Sequence, residues 1–298
     1  MSTVKSFDPE LLETRDVHRL LSSAIAPRPI AFASTVDLEG TVNLSPFSFF
    51  NVFSANPPIL VFSPSRRGSD NTTKHSLENV KEVKEVCINL VNYSIVEQMS
   101  LSSTEYDKGV NEFIKSGLTP IASEKISPPR VAESPVSFEC VVDQIIALGT
   151  EGGAGNLVIC RVVNIHINKN YLGAEGKLDT LKLDLVARLG ENWYARITED
   201  ALFEIEKPIK TKGIGVDSLP KHVQNSRILT GNDLGKLGNS IELPSQSAID
   251  HAKAQHSLKK ILPLSNSANK HEAVHRIAKN LIAQHKTAEA LAVLCSVV

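Results

Sequence analysis

Between residues 28 and about 200 the chain alternates short apolar runs with clusters of Gly, Pro, Asn, Asp and Ser. The runs PIAFASTV, PPILVFS, VCINLV, PVSFECVVDQIIAL and NLVICRVVNIHI are strand-length and rich in β-branched residues. Val36-Asp37-Leu38-Glu39-Gly40-Thr41 carries a hairpin signal, with Gly40 free to take a positive φ. A second turn at 149–155 (GTEGGAG) joins the two longest strand candidates. Such a meander predicts an antiparallel barrel rather than a parallel sheet. Helical pieces interrupt it: an entry helix over 8–23, Ser76–Glu85 with Leu77, Val80 and Val83 at helical spacing, and a short turn or helix at Ile95–Leu101.

The pattern changes after Lys207-Pro208. Residues 208–247 are rich in Gly, Asn and Ser and read as an irregular arm or linker. From 248 to 298 Gly vanishes and Ala rises, which predicts a C-terminal helical extension. Its two helices, Ile249–Ile261 and Ala273–Leu294, are expected to pair as a hairpin through Pro263 and the turn 265–269, packed on the barrel or on a partner subunit. Residues 1–207 form the predicted barrel domain.

The 298 residues suffice for one large or two modest domains, so no disulfide or metal staple is needed. A formal net charge of -1 excludes a basic surface over the whole molecule, and nucleic acid is not an expected partner. Cys87, Cys140 and Cys160 sit in apolar strand candidates, and no pair among the 4 Cys has ligand spacing; buried reduced thiols are expected. The N-terminus lacks a basic start followed by an apolar stretch, and no run is long enough to span a bilayer. A soluble, cytoplasmic protein without membrane contact is the expectation.

Two strings imitate familiar sites. GTEGGAG lacks the GxGxxG spacing and precedes a strand, so it is not a dinucleotide loop. His271-Glu272-Ala273-Val274-His275 spells HExxH on a helix, but Leu281 stands where a third ligand would be expected. Both imidazoles are expected to face solvent, and no metal is assigned.

The informative stretch is 28–80. Six of the ten Phe fall between 32 and 62, interleaved with Ser34, Thr35, Asn43, Ser45, Ser48 and Asn51. An apolar surface lined with short hydrogen-bonding groups suits a flat heteroaromatic ligand, although a plain barrel core gives the same pattern. Downstream, Ser65-Arg66-Arg67-Gly68-Ser69 and Lys74-His75-Ser76 precede a helix, where Lys74 supplies charge and Ser76 caps the helix or meets a phosphate. Together these describe a cofactor with an aromatic head and a phosphate tail.

RPIAFASTVDLEGTVNLSPFSFFNVFSANPPILVFS, followed by TKHSLENVKEVKEVCINLV and later RLGENWYARI, resembles the flavin reductase-like family, whose fold is the FMN-binding split barrel. The resemblance covers roughly residues 15–207. Lys74-His75-Ser76 departs from the family's K-D-T by placing His75 where a carboxylate is usual. It implies a mainly β fold, an antiparallel split β-barrel with helices, here carrying the α-helical extension. It implies FMN in a groove shared by a homodimer. The loop containing Asn43, Ser45, Pro46, Phe47, Ser48 and Asn51 would lie along the isoalloxazine, Ser34, Thr35 and Ser63 would help hold the cofactor, and Lys74 and Ser76 would lie near its phosphate. The activity implied is reduction of flavin or another small-molecule acceptor by NADH or NADPH. A non-enzymatic FMN electron carrier or flavin store is the alternative, and an interaction protein built around the C-terminal helices a third. Because the cofactor performs the hydride chemistry, no side chain is assigned as catalytic.

Overall fold

The computed structural model describes residues 3–205, 208 and 211–297. The chain divides into two compact units, 1–203 and 204–298. The boundary expected at Lys207-Pro208 touches Lys207, which lies outside the described residues.

The first unit opens with α1 (Thr14–Ala24) and builds strands β1 (Ala31–Val36), β2 (Val42–Phe47), β3 (Phe50–Ala55) and β4 (Pro58–Phe62). α2 (His75–Glu82) leads into β5 (Glu85–Asn89), followed by α3 (Val96–Leu101) and α4 (Glu112–Ser116). The short strands β6 (Pro120–Ile121) and β7 (Arg130–Val131) pair with each other. The long hairpin β8 (Val136–Ala147) and β9 (Asn156–Ile167) follows, then α5 (Thr180–Leu183) and a small ribbon of β10 (Val186–Arg188) with β11 (Tyr194–Arg196). The entry helix begins later than the sequence suggests. Asp8 and Pro9 first make a 3-10 turn, with Asp8 capping Glu10 N–H.

The main sheet runs β2-β1-β5-β8-β9-β4-β3, antiparallel throughout. β2 and β3 lie at opposite ends of that order, yet only Ser48 and Phe49 separate them in sequence. The three steps from Phe47 to Phe50 reach at most about 11 Å, so the sheet must curl until its ends come close without pairing. This is the antiparallel barrel expected from the meander, split as the family resemblance implies. Bulges at Glu139/Cys140 and Val142/Gln144 add bend to the long hairpin.

Alternation along β1 sends Ala31 and Ala33 into one core with Leu60, Phe62, Leu77 and Val80, and Phe32 into a second with Leu44, Met99 and Phe113. Cys87, Cys140 and Cys160 are buried thiols, and burial pushes Cys87 up to about 12.

The second unit revises the expected arm and hairpin. It contains α6 (Lys221–Gln224), α7 (Gly231–Gly238), α8 (Gln246–Ala254), α9 (His256–Ile261), α10 (Ser267–Ala283) and α11 (Thr287–Cys295). Within the described part of the expected arm, Leu219, Val223, Leu229 and Leu237 share one core with Ala252, Leu258, Val274, Ile282 and Leu291. Its glycines permit close approach, since a Cβ on Gly238 would sit 3.0 Å from the Val216 nitrogen. The helix expected over Ala273–Leu294 is broken at His285, whose φ is +61°.

His275 does not face solvent. It is 5% exposed, and its partners come from the arm. Ser226 Oγ accepts the Ile228 and Leu229 N–H groups at 3.1 and 3.0 Å, so its hydroxyl donates to His275 Nδ1 at 2.9 Å. That leaves the proton on His275 Nε2, which donates to His222 Nδ1 at 3.0 Å. His271 is half-buried and stacks on His222, ring centroids 4.3 Å apart. Among the described residues no group of three His, Cys, Asp or Glu is placed to hold a metal ion.

Candidate functional site

The turn from β2 into β3 borders a cleft of about 990 Å³. One wall is the turn from β2 into β3, carrying Pro46, Phe47, Ser48 and Phe49. The loop at 63–69 with Lys74 forms a second wall, and α1 with Arg28 and Arg188 forms a third. A side pocket of about 140 Å³ shares Pro46, Phe47, Arg67 and Lys74 with the cleft and adds Asn43 and Ser45.

The basic loop is pinned to the β8–β9 turn. Arg66 N–H donates to the Ala154 carbonyl at 2.8 Å, and Gly153 N–H returns to the Arg66 carbonyl at 3.1 Å. A side chain at Gly152 would press its Cβ to 3.1 Å from the Arg67 carbonyl, which explains the glycine there. Arg67 is anchored to Thr72 Oγ1 at 2.8 Å and the Thr73 carbonyl at 2.6 Å. Arg67 Nε and Lys74 Nζ converge on one carboxylate oxygen of Glu105, at 3.2 and 2.9 Å. The Lys74 contact, helped by Arg67, holds the Glu105 carboxyl below the usual range.

Opposite, Arg28 is buried and holds α1 in place. Its guanidinium donates to the carbonyls of Ser22, Ile25 and Leu189 and, at 3.4 Å, to Ser48 Oγ. Its cation lies 5.8 Å from the Phe49 ring centroid, and His18 of α1 packs on the same ring at 6.0 Å. The cleft thus has an aromatic edge between two basic ends.

The residues expected from sequence divide into three groups. Pro46, Phe47, Ser48, Ser63 and Lys74 line the main cleft, while Asn43 and Ser45 line the side pocket. Ser34, Thr35 and Ser76 are fully buried and line neither. Thr35 Oγ1 accepts from Asn79 Nδ2 at 3.1 Å, and Ser76 donates to Asn43 Oδ1 at 3.0 Å. Asn43 Nδ2 donates to the buried Glu112 carboxylate at 3.0 Å, so these residues stiffen the floor behind the pocket. Ser76 makes no cap bond to α2. Asn51 is exposed on β3, lines neither cavity, and accepts from its neighbour Val52 N–H at 2.8 Å. Among the lining residues that escaped the sequence reading are Arg28, Glu105 and Arg188. Arg28 and Arg188 stand in the matched motifs yet carry no local sign of facing a cleft, and Glu105 lies in a loop with no pattern at all.

Three comparisons bear on this geometry. Residues 23–182 match the model of the flavin reductase like domain. An uncharacterized protein of Halalkalibacterium halodurans is 36% identical over 203 residues, covering 67% of this chain and 95% of that protein. Nitrilotriacetate monooxygenase component B from Bacillus cereus superposes with a TM-score of 0.64 at 31% identity, over 69% of this chain and all of that one. A split-barrel protein of Shewanella frigidimarina gives 0.57 at 28% identity, over 68% of this chain and all of the other. The family model ends at residue 182 and leaves residues 183–298 outside it.

Proposed function

The chain belongs to the flavin reductase-like family, and from that premise we propose that it binds FMN in the cleft and passes electrons from a reduced nicotinamide nucleotide to flavin or another small acceptor. The observation that carries this reading is the pairing of an aromatic edge, Phe47 and Phe49, with a basic end where Arg67 and Lys74 share a single exposed carboxylate. A phosphate accepts hydrogen bonds from both cations, and the net positive charge that Glu105 leaves on the pair favours an anion there. The donor set therefore fits a phosphorylated flavin. Bound FMN would supply the hydride-accepting ring. The protein's task is to hold it: Arg67 and Lys74 at the phosphate, Pro46–Phe49 along the ring, Ser48 and Ser63 as short hydrogen-bonding groups beside it.

The same reading includes a homodimer. The sheet-edge strand β3 exposes Val52 and Phe53, at 63% and 69%, beside the mouth of the cleft. Covering them with a second copy would enclose the flavin and remove an unpaired edge.

The test is a titration of the purified protein with FMN and with riboflavin, followed in the visible spectrum, then NADH and NADPH oxidation by the loaded protein. Saturable FMN binding with turnover supports the reading. Tight FMN binding without turnover would leave an electron carrier or flavin store, and no flavin binding would overturn both.

A further inference from the structure

The end of the cleft away from Lys74 has a feature that flavin binding does not use. Arg28 and Arg188 face each other directly across an antiparallel bridge, with backbone N–H to carbonyl bonds of 3.0 and 2.8 Å in the two directions. Like charges directly opposite on paired strands repel. Arg28 is moreover 7% exposed, and neither guanidinium forms an ion pair among the described residues. Burial and the neighbouring Arg188 both lower the Arg28 pKa. A repulsive, partly desolvated cation pair with no counterion is costly unless an anion visits it.

The hydrogen bonds of the pair are those of a preset receptor. Arg28 is held by carbonyls of Ser22, Ile25 and Leu189, and Arg188 by carbonyls of Glu191 and Trp193, the last at 2.9 Å. Carbonyl dipoles orient the guanidinium planes without cancelling their charge. One Nη2 N–H of Arg28, and the Nε and one Nη2 N–H of Arg188, remain uncommitted. Both side chains line the main cleft together with Ser48 and Leu189.

We propose that Arg28 and Arg188 form a second anion subsite of the cleft, which receives the oxyanion of the ligand that meets the flavin and so selects anionic co-substrates over uncharged ones. This rests on the flavin-binding reading above. The cleft volume of about 990 Å³ is at the upper end for small-molecule sites and has room for a second ligand. The oxyanion is a phosphate if the ligand is the nicotinamide donor, or a carboxylate if it is the acceptor.

The experiment is calorimetric titration of the full chain, with and without saturating FMN, using two matched probe pairs that do not react. Tetrahydronicotinamide mononucleotide against tetrahydronicotinamide riboside tests the donor, and benzoate against benzyl alcohol tests the acceptor. In the unmodified protein the charged member of one pair binds more tightly than its uncharged partner. Arg188→Gln weakens that charged probe about tenfold, the loss of one charge-assisted hydrogen bond, and leaves the uncharged probe and FMN unchanged. Arg188→Lys, which keeps the charge, retains most of the preference and guards against a folding defect in the first variant. The inference is overturned if neither pair shows a charge preference, if both members weaken together, or if FMN weakens as much as the probe, which would make the pair the flavin's own phosphate site. Absence of any FMN heat would instead defeat the flavin reading, and the charge preference in the FMN-free protein would still decide for or against the subsite.

Discussion

The two units bury ionisable groups in contrasting ways. In the barrel, Glu139 is fully buried, yet it accepts N–H groups from Glu124 at 2.8 Å and Lys125 at 2.7 Å and contacts His166 Nε2 at 2.6 Å. Burial works against its ionisation, but those contacts outweigh burial and hold the carboxyl below its usual range. The helical unit instead buries imidazoles against one another. The Ser226–His275–His222 chain leaves the proton of His222 on Nε2, which is buried against the backbone of Leu294. Burial, then His271 and His275, push His222 down to about 4, and burial and His271 lower His275. One unit stabilises a charge with donors, and the other is built to stay neutral. The lesson is that the two tolerate acid over different ranges.

The sharpest way to break this contrast is to remove the barrel's buried carboxylate. Glu139→Ala orphans two backbone N–H groups and should destabilise the first unit by about 3 kcal/mol. Urea unfolding followed by Trp193, the single Trp and a first-unit residue, measures it; a loss below about 1 kcal/mol would mean water replaces the carboxylate at no cost.

Acid titration separates the units next. The folded His222 pKa lies below the unfolded 6.5, so the unfolded chain takes protons first. The stability this neutrality protects is intact above the unfolded value and is lost as pH falls from 6.5 toward 4. Discounted for partial exposure, the loss in the helical unit is about 2 kcal/mol. Glu139 contributes above its unfolded 4.5 and is lost only as pH falls through its lower folded value. Far-UV circular dichroism should therefore report helix loss at a higher pH than Trp193 fluorescence reports loss of the barrel. Coincident transitions would erase the distinction, and His222→Phe should shift only the helical one.

A paired charge is also the issue at the cleft. Lys74→Ala should weaken FMN by about 1.5–3 kcal/mol, the range for a hydrogen bond to a charged group, and leave riboflavin nearly unaffected. Equal losses for both ligands would show that Lys74 is away from the phosphate. The smallest effect tests whether the arm belongs to the helical fold. Thr230 and Asp233 form a reciprocal capping box at α7, so Thr230→Ala should cost the second unit about 1 kcal/mol by urea denaturation and the barrel nothing. No change in the helical transition would return 208–247 to the status of a linker.

Local features were legible in the residues alone. Strand-length apolar runs such as AFASTV, VCINLV and the two long strands, bounded by turn residues, encode the meander, Gly40 and Gly153 take the positive φ their turns require, and SRRGS with Lys74 marks a basic loop. These depend on neighbours a few residues apart, which patterning records. Tertiary structure decided what lies face to face. Ser34, Thr35 and Ser76 have the composition of ligand contacts, but α2 and α4 cover that side of the sheet and absorb two of them into a buried network with Asn79, Asn43 and Glu112. Glu105 reaches Lys74 from 31 positions away, and Arg188 reaches Arg28 from 160, distances over which no local pattern operates. His275 looked solvated because its own helix offers it no partner; folding supplied Ser226 and His222 from a segment too poor in long apolar runs to look folded. Whether a polar side chain is a surface group, a ligand contact or a core member depends on which donors and acceptors the chain brings back to it, and that is settled only when distant segments close on one another.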